Sequence, residues 1–266
     1  MAPSHSRTFR GGEKMLAKRI IAALDVQKGK VVKGIKFRNI VETGDPIVQS
    51  IAYEKHGIDE IVFLDISASR ENRGITQALV ADIAKAIGIP FMVGGGLSTV
   101  EQIVGVIKAG ADKVFINSAA VKNPLLIEKA ASVIGSANLC VAIDAKWEAG
   151  RYEVYINGGN EATGLDALAW AREAQKLGAG EILVTAMDAD GVKNGYDLPL
   201  NKVLSETLNL PIIASGGAGK MKDFLDIFRM TTVSGALAAS VFHYGNIEIR
   251  SLKKYLKENG VSIRYE

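Results

Sequence analysis

IIAALDVQKGKVV, residues 20–32, and LCVAIDAKWEAGRYEV, residues 139–154, decide the fold of this chain of 266 residues. Each is an apolar run of strand length that ends on an aspartate, Asp25 or Asp144, and continues through a glycine into a hairpin. The two aspartates are 119 residues apart, and the echo recurs elsewhere. FMVGGG pairs with IIASGGAG, setting Gly95 122 residues before Gly217, and INSAAV pairs with AASVF, setting Ser118 122 residues before Ser240. Offsets this nearly constant mark two related halves.

Working outward, runs rich in Val and Ile predict strands at Arg19–Asp25, Glu60–Asp65, Pro90–Gly94, Lys113–Asn117, Leu139–Asp144, Glu181–Thr185, Pro211–Ser215 and Gly235–Ala238. Helical periodicity fills the intervals at Pro46–His56, Thr76–Ala86, Thr99–Ala109, Pro124–Val133, Asp166–Leu177, Leu200–Thr207, Lys220–Phe228 and Glu248–Glu258. Asp45-Pro46 supplies an acceptor before a helical proline, and Gly57, Gly110 and Gly178 supply stops. Strand then helix, eight times over, predicts an α/β fold, a (β/α)8 TIM barrel with an approximate twofold internal repeat. An open doubly wound sheet is the alternative that local pattern leaves standing.

Composition fits one domain: 48% of the chain is apolar, enough for one substantial core but short for two independent enzyme domains. The expected organisation is a disordered extension over residues 1–14 and a single barrel domain over residues 15–266. A net charge of +3, with both signs intermixed, builds no nucleic-acid surface. No apolar run approaches the roughly 18 residues of a membrane span, and MAPSHSRTFRGGEK lacks the apolar segment of a secretory signal. The lone cysteine, Cys140, lies inside an apolar strand, which predicts a buried thiol in a reducing, cytoplasmic compartment.

In a barrel the strand C-termini converge on one mouth. Asp25, Asp65 and Asp144 end strands 1, 2 and 5, and Asp188 follows strand 6. Taken singly, a strand-end aspartate commonly accepts from loop N–H groups. Asp25 and Asp144 stand apart because the repeat sets them across one cavity, where two carboxylates in unlike surroundings can divide acid and base work. Strands 3 and 7 are followed by Gly94-Gly95-Gly96 and Ser215-Gly216-Gly217-Ala218-Gly219, whose amides, with the helix N-termini beyond, suit phosphate; purely architectural turns are the alternative. Beside them strands 4 and 8 end in Asn117-Ser118 and Ala239-Ser240. One patch per half predicts a long substrate with a phosphate at each end. The first loop carries Lys28, Lys30, Lys33, Lys36 and Arg38, either as a solvated hairpin or, for Lys33, as a phosphate contact or lid anchor; Phe37 reads as ring stacking or packing.

The segments MLAKRIIAALDV, VVKG, GDP, EIVFLDISAS, PFMVGGG, GADKVFINSAAV, VAIDAK, GAGEIL, DADGVKNGYD, PIIASGGAGKM and ALAASVFH occur in this order between Met15 and the C-terminus. With them the chain resembles the cyclase subunits of imidazole glycerol phosphate synthase. The resemblance implies a lyase of histidine biosynthesis that converts PRFAR and ammonia into imidazole glycerol phosphate and AICAR, without metal or redox cofactor. It implies Asp25 and Asp144 as the catalytic pair, with Lys33, Gly96, Asn117, Ser118, Thr185, Asp190, Gly191, Gly217 and Ser240 contacting substrate or its phosphates or supporting those contacts. It further implies a separate glutaminase subunit, forming a heterodimer at the N-terminal barrel face, with Arg19, Glu60, Lys113 and Glu181 as a charged ammonia gate and Asp112 on the docking surface. A salt-bridge plug is the plainer reading of those four charges.

Two alternatives accompany this reading: a sugar-phosphate isomerase of the same pathway, with a similar barrel and strand-end aspartates, and a barrel that binds phosphorylated ligands or a partner without turnover. The sequence also departs from the family pattern. Ala23 stands where CLDV is usual, and FRMTTVSGALAAS replaces a glycine-rich helix exit, leaving the register of Met230–Gly235 open. Gly158 occupies the place of a phosphate-contacting hydroxyl, with Thr163 the hydroxyl retained further along.

Overall fold

A computed structural model describes residues 16–35, 38–66 and 76–265, with 33–35 and 38–43 as backbone only. The extension over residues 1–14, Lys36 and Phe37, and the side chains of Lys33 and Arg38 lie outside the described residues. The chain runs β1 (Arg19–Gln27), β2 (Lys30–Ile35), β3 (Arg38–Gly44), α1 (Pro46–Lys55), β4 (Glu60–Asp65), α2 (Gln77–Ala86), β5 (Phe91–Gly94), α3 (Val100–Lys108), β6 (Lys113–Ile116), α4 (Ser118–Lys122), α5 (Leu125–Ile134). It continues through β7 (Leu139–Glu148), β8 (Arg151–Ile156), β9 (Glu161–Asp166), α6 (Ala167–Lys176), β10 (Glu181–Ala186), α7 (Leu198–Thr207), β11 (Ile212–Ser215), α8 (Met221–Met230), β12 (Gly235–Ala238), α9 (Ser240–His243) and α10 (Ile249–Glu258).

Eight parallel strands pair in the order β1-β4-β5-β6-β7-β10-β11-β12, and β12 pairs again with β1, so the sheet closes on itself. The open-sheet alternative is thereby excluded. β1 and β7 sit at opposite points of the circle, and each runs past its aspartate into an antiparallel meander, β1-β2-β3 and β7-β8-β9. At the foot of the barrel the Lys18 amide donates to the Ser262 carbonyl at 2.8 Å, and Lys18 bridges to Ile263, so the segment after α10 is bonded to the residue that precedes β1.

Helix starts follow local chemistry. Asp45 caps α1 ahead of Pro46, Thr76 caps α2, and Asp166 caps α6. α7 begins at Leu198, two residues before the expected start, because Asp197 accepts from the Leu200 amide at 2.9 Å and Pro199 fits the first turn. The short helices α4 and α9 were not anticipated, being too brief to show a helical period.

The repeat is present, with its register off by one at the glycine turns. β4 and β10 stand 121 residues apart, as do β5 and β11, which makes Gly216 and not Gly217 the counterpart of Gly95. The physical reason is a shared contact. A Cβ on Gly95 would lie 2.3 Å from the Asp65 carbonyl oxygen, and one on Gly216 would lie 2.7 Å from the Ala186 carbonyl oxygen; both glycines also hold positive φ, 98° and 89°. Strand β12 begins in register at Gly235, fixed by the Ser234 amide on the Ile212 carbonyl at 2.8 Å and by Gly235 opposite Arg19. The departure over Met230–Gly235 is absorbed just before it, where buried Thr231 folds its hydroxyl back to the Ile227 carbonyl at 2.5 Å.

Candidate functional site

Alternation along each strand sorts the barrel into two apolar regions. Ile20, Ala22, Leu24 and Val26 of β1 pack outward against the helices, whereas Ile21 and Ala23 belong to a separate cluster with Val62, Leu64, Met92, Phe115, Cys140, Ala142, Leu183, Ile213 and Leu237. That second cluster fills the lumen. Extending the same parity downward reaches Arg19, Glu60, Lys113 and Glu181, and extending it upward reaches Asp25, Asn117, Asp144, Thr185 and Ser215. Asp65 has the opposite parity, shared with Ile61 and Phe63, so it reaches the mouth end of the barrel but not the lumen face that Asp25 and Asp144 share.

The lower layer is a closed ring of charge. Arg19 Nη1 donates to Glu60 Oε2 at 2.5 Å and Nη2 donates to Glu181 Oε1; Lys113 Nζ donates to Glu181 Oε2 at 2.8 Å and lies 3.3 Å from Glu60 Oε1. Each carboxylate thus spends one oxygen on each cation, and both glutamates are buried. Burial works against the charge on Arg19 and on Lys113, but Glu181 and Glu60 outweigh it and hold both cations above their ordinary pKa. A fifth member was missed in the sequence: Ser234 Oγ accepts from Arg19 Nη2 at 3.0 Å. Its place immediately before the last strand, 122 residues after Asp112, was the available signal. Asp112 is exposed on this face, where its carboxylate also accepts from the Phe91 amide at 2.9 Å.

The upper layer is built around Asp144. Its Oδ2 accepts from Asn117 Nδ2 at 3.0 Å, and it stands opposite Thr185 on the neighbouring strand. Burial pushes the Asp144 carboxyl up to about 6; the Asn117 hydrogen bond pulls the other way, and the negative charge of Asp190 adds to the rise. Asn117 Oδ1 is buried with no hydrogen-bond partner. Asn117 was expected as a phosphate contact, and the structure ties its amide to the catalytic candidate. Across the barrel, Asp25 lies opposite Val32 of the first hairpin, whose next residue is Lys33.

Around the rim, Gly95 and Gly96 follow β5, whose neighbour β6 leads into α4, and Gly216 and Gly217 follow β11, whose neighbour β12 leads into α9. The helix N-termini beyond the glycine turns are occupied from within. Gln102 Oε1 accepts from the Ser98 and Thr99 amides at 2.8 and 3.2 Å, and its counterpart Asp223 accepts from the Gly219 and Lys220 amides at 2.8 and 2.9 Å. Those four amides are thus satisfied within the chain. Ser118 Oγ accepts from the Asn157 amide at 2.9 Å, which holds the β8–β9 turn against α4. Thr163 spends its hydroxyl on the Val154 carbonyl at 2.7 Å, away from that role. Asp190 and Gly191 lie on the loop after β10, where Gly191 holds φ at 75° and the Gly195 amide ties the loop to the Gly217 carbonyl at 2.8 Å. Asp188 accepts from the Trp147 amide at 2.8 Å and ties that loop to the end of β7.

No helix among the described residues is long and apolar enough to cross a membrane. The sequence matches the model of a family described as histidine biosynthesis protein over residues 19–248. It is 56% identical to the imidazole glycerol phosphate synthase subunit HisF of Pyrococcus furiosus over 252 residues, covering 95% of this chain and all of that protein. The HisF subunit of Petrotoga mobilis is 57% identical over 94% of this chain, and that of Lactiplantibacillus plantarum 51% over 94%, each covered in full.

Proposed function

The chain belongs to the histidine biosynthesis protein family, as a HisF-type cyclase subunit of imidazole glycerol phosphate synthase, and from that premise we propose how its own residues perform the reaction. The enzyme converts PRFAR and ammonia into imidazole glycerol phosphate and AICAR. Asp144 promotes ammonia addition, and Asp25 serves as acid and base while the ribotide is eliminated and the imidazole ring closes. What carries this reading is the pairing of two carboxylates on diametrically opposed strands, both on the lumen face, one of them raised to about 6. Such a group is mostly ionised at neutral pH yet close enough to it to return a proton.

PRFAR lies across the mouth with one phosphate at Gly96, Asn117 and Ser118 and the other at Gly217 and Ser240. Asp190, Gly191 and Thr185 hold the segment between, and Lys33 of the first hairpin is the further substrate contact that the resemblance implies. Asp190 is suited to hydroxyls and to shaping its loop, since a carboxylate repels a phosphate.

Ammonia arrives from a glutaminase partner, such as HisF subunits have, docked at the N-terminal face around Asp112. Near neutral pH free ammonia is largely protonated and a poor nucleophile, so delivery through an apolar lumen preserves the reactive form. The ring of Arg19, Glu60, Lys113 and Glu181 closes the foot of that lumen and opens when the partner binds. A cytoplasmic location agrees with the single buried thiol.

The test is incubation of the chain with PRFAR and an ammonium salt, following loss of substrate and appearance of both products. Asp25→Asn is expected to lower turnover by about 10²- to 10⁴-fold with substrate binding largely kept. Isomerisation of a sugar phosphate without ammonia, or full activity in Asp25→Asn, would overturn the reading.

A further inference from the structure

The strand β6 carries one line of side chains from the charged ring to the catalytic chamber. Lys113, Phe115 and Asn117 share its lumen parity: Lys113 closes the ring, Asn117 bonds Asp144, and Phe115 stands between them. At roughly 3.3 Å of rise per residue it is about 7 Å from each level. Phe115 is the one aromatic residue in the lumen cluster, and it is 5% exposed.

Its ring does not stand in the middle of the lumen. Gly94 is its register partner on β5, and a Cβ on Gly94 would meet Cε1 and Cζ of Phe115 at 2.4 Å and Cδ1 at 2.5 Å. The ring therefore lies sideways in the notch left by the missing side chain. Gly94 is not among the glycines with positive φ, unlike Gly95 and Gly96, so its backbone conformation does not call for glycine. The notch does.

Resting on the ammonia route given above, we propose that Phe115 is the specificity-determining shutter of that route. Parked on Gly94, it keeps the lumen narrow and apolar, passes a small neutral molecule by a modest ring rotation, and excludes ammonium and water. The surrounding wall is made by Ile21, Met92, Cys140, Leu183 and Ile213, whose side chains offer a cation no carboxylate or carbonyl to replace its hydration. A substituent that pushes the ring off its notch, or a larger ring in its place, closes the lumen at this level.

The experiment measures cyclase turnover of the complex with its glutaminase partner, once driven by glutamine and once by added ammonium salt, which reaches the chamber from the open mouth. The readout is the ratio of the two rates, which does not depend on the fraction of protein that folds. Phe115→Trp and, from the opposite side of the contact, Gly94→Ala are each expected to lower the glutamine-to-ammonium ratio by about tenfold or more, which is a rise of about 1.4 kcal/mol in the barrier for passage. Phe115→Leu is expected to keep the ratio at or above that of the unaltered chain. Ratios within about twofold of the unaltered complex in both Phe115→Trp and Gly94→Ala would overturn the proposal. Absence of ammonium-driven turnover in the unaltered chain would instead strike the proposed function on which it rests.

Discussion

Asp144→Asn should destroy activity and stabilise the protein, for one and the same reason. The carboxyl is raised from 3.8 to about 6, chiefly by burial, so at neutral pH the fold holds an ionised group that it disfavours. The sign follows from proton linkage. Between pH 4 and 6 the folded chain binds more protons at this site than the unfolded chain, so stability falls as pH rises through that window. At about 1.36 kcal/mol per pKa unit, the ionised form costs about 3 kcal/mol at pH 7.5 as an upper bound, and about half of that once partial exposure of the residue is allowed for. An asparagine has the same shape and no charge to desolvate, and its amide can turn its oxygen to keep the bond from Asn117. In a chain of this size about 1–2 kcal/mol corresponds to a rise in Tm of roughly 2–8 °C. Thermal unfolding of both proteins at pH 7.5 and again towards pH 4 measures it, with turnover recorded on the same samples. The gain should shrink steadily as pH drops through 6 and towards 4. A variant no more stable than the parent at pH 7.5, or a gain independent of pH, would refute the claim that Asp144 is ionised at a cost; undiminished turnover would refute its catalytic role.

Asn117→Ala removes the hydrogen bond that lowers the Asp144 pKa. The acid limb of the rate profile, set by ionised Asp144, should therefore move to higher pH, as turnover measured from pH 5 to 9 would show. Gly95→Ala places a methyl group 2.3 Å from the Asp65 carbonyl oxygen at a φ of 98°, and the combined clash and strain should cost about 3 kcal/mol or more, read from urea unfolding. Burial pushes the Cys140 thiol well above its ordinary pKa and no solvent reaches it, so a thiol reagent should find no reactive group in the native protein and one after denaturation.

The barrel was legible in the sequence because its periodicities are unmixed. Strand runs such as EIVFLD alternate with helical stretches, and the repeat made closure the natural inference. Asp25 and Asp144 were legible for the same reason, since symmetry placed them on facing strands. What local pattern does not carry is side-chain parity at strand ends. Asp65 and Asp144 look alike in sequence, yet Asp65 steps with Ile61 and Phe63 while Asp144 steps with Cys140 and Ala142. Side-chain contacts between neighbouring strands were equally hidden. Ser234 joins the charged ring because closure sets β12 beside β1, and Asn117 turns to Asp144 because β6 pairs with β7. The glycine pairing slipped by one because three glycines in a row align equally well in either register, until the carbonyl beneath one of them fixes it.

The bond from Lys18 to Ser262 and the bridge to Ile263 form a seam that lays the two margins of the barrel segment side by side. Chain order is then nearly arbitrary with respect to the closed sheet. A short peptide joining the neighbourhood of residue 16 to that of residue 265 would leave every strand pairing intact, and the gene could be reopened at an exposed turn such as Ala149-Gly150 without asking any barrel strand to find a new neighbour.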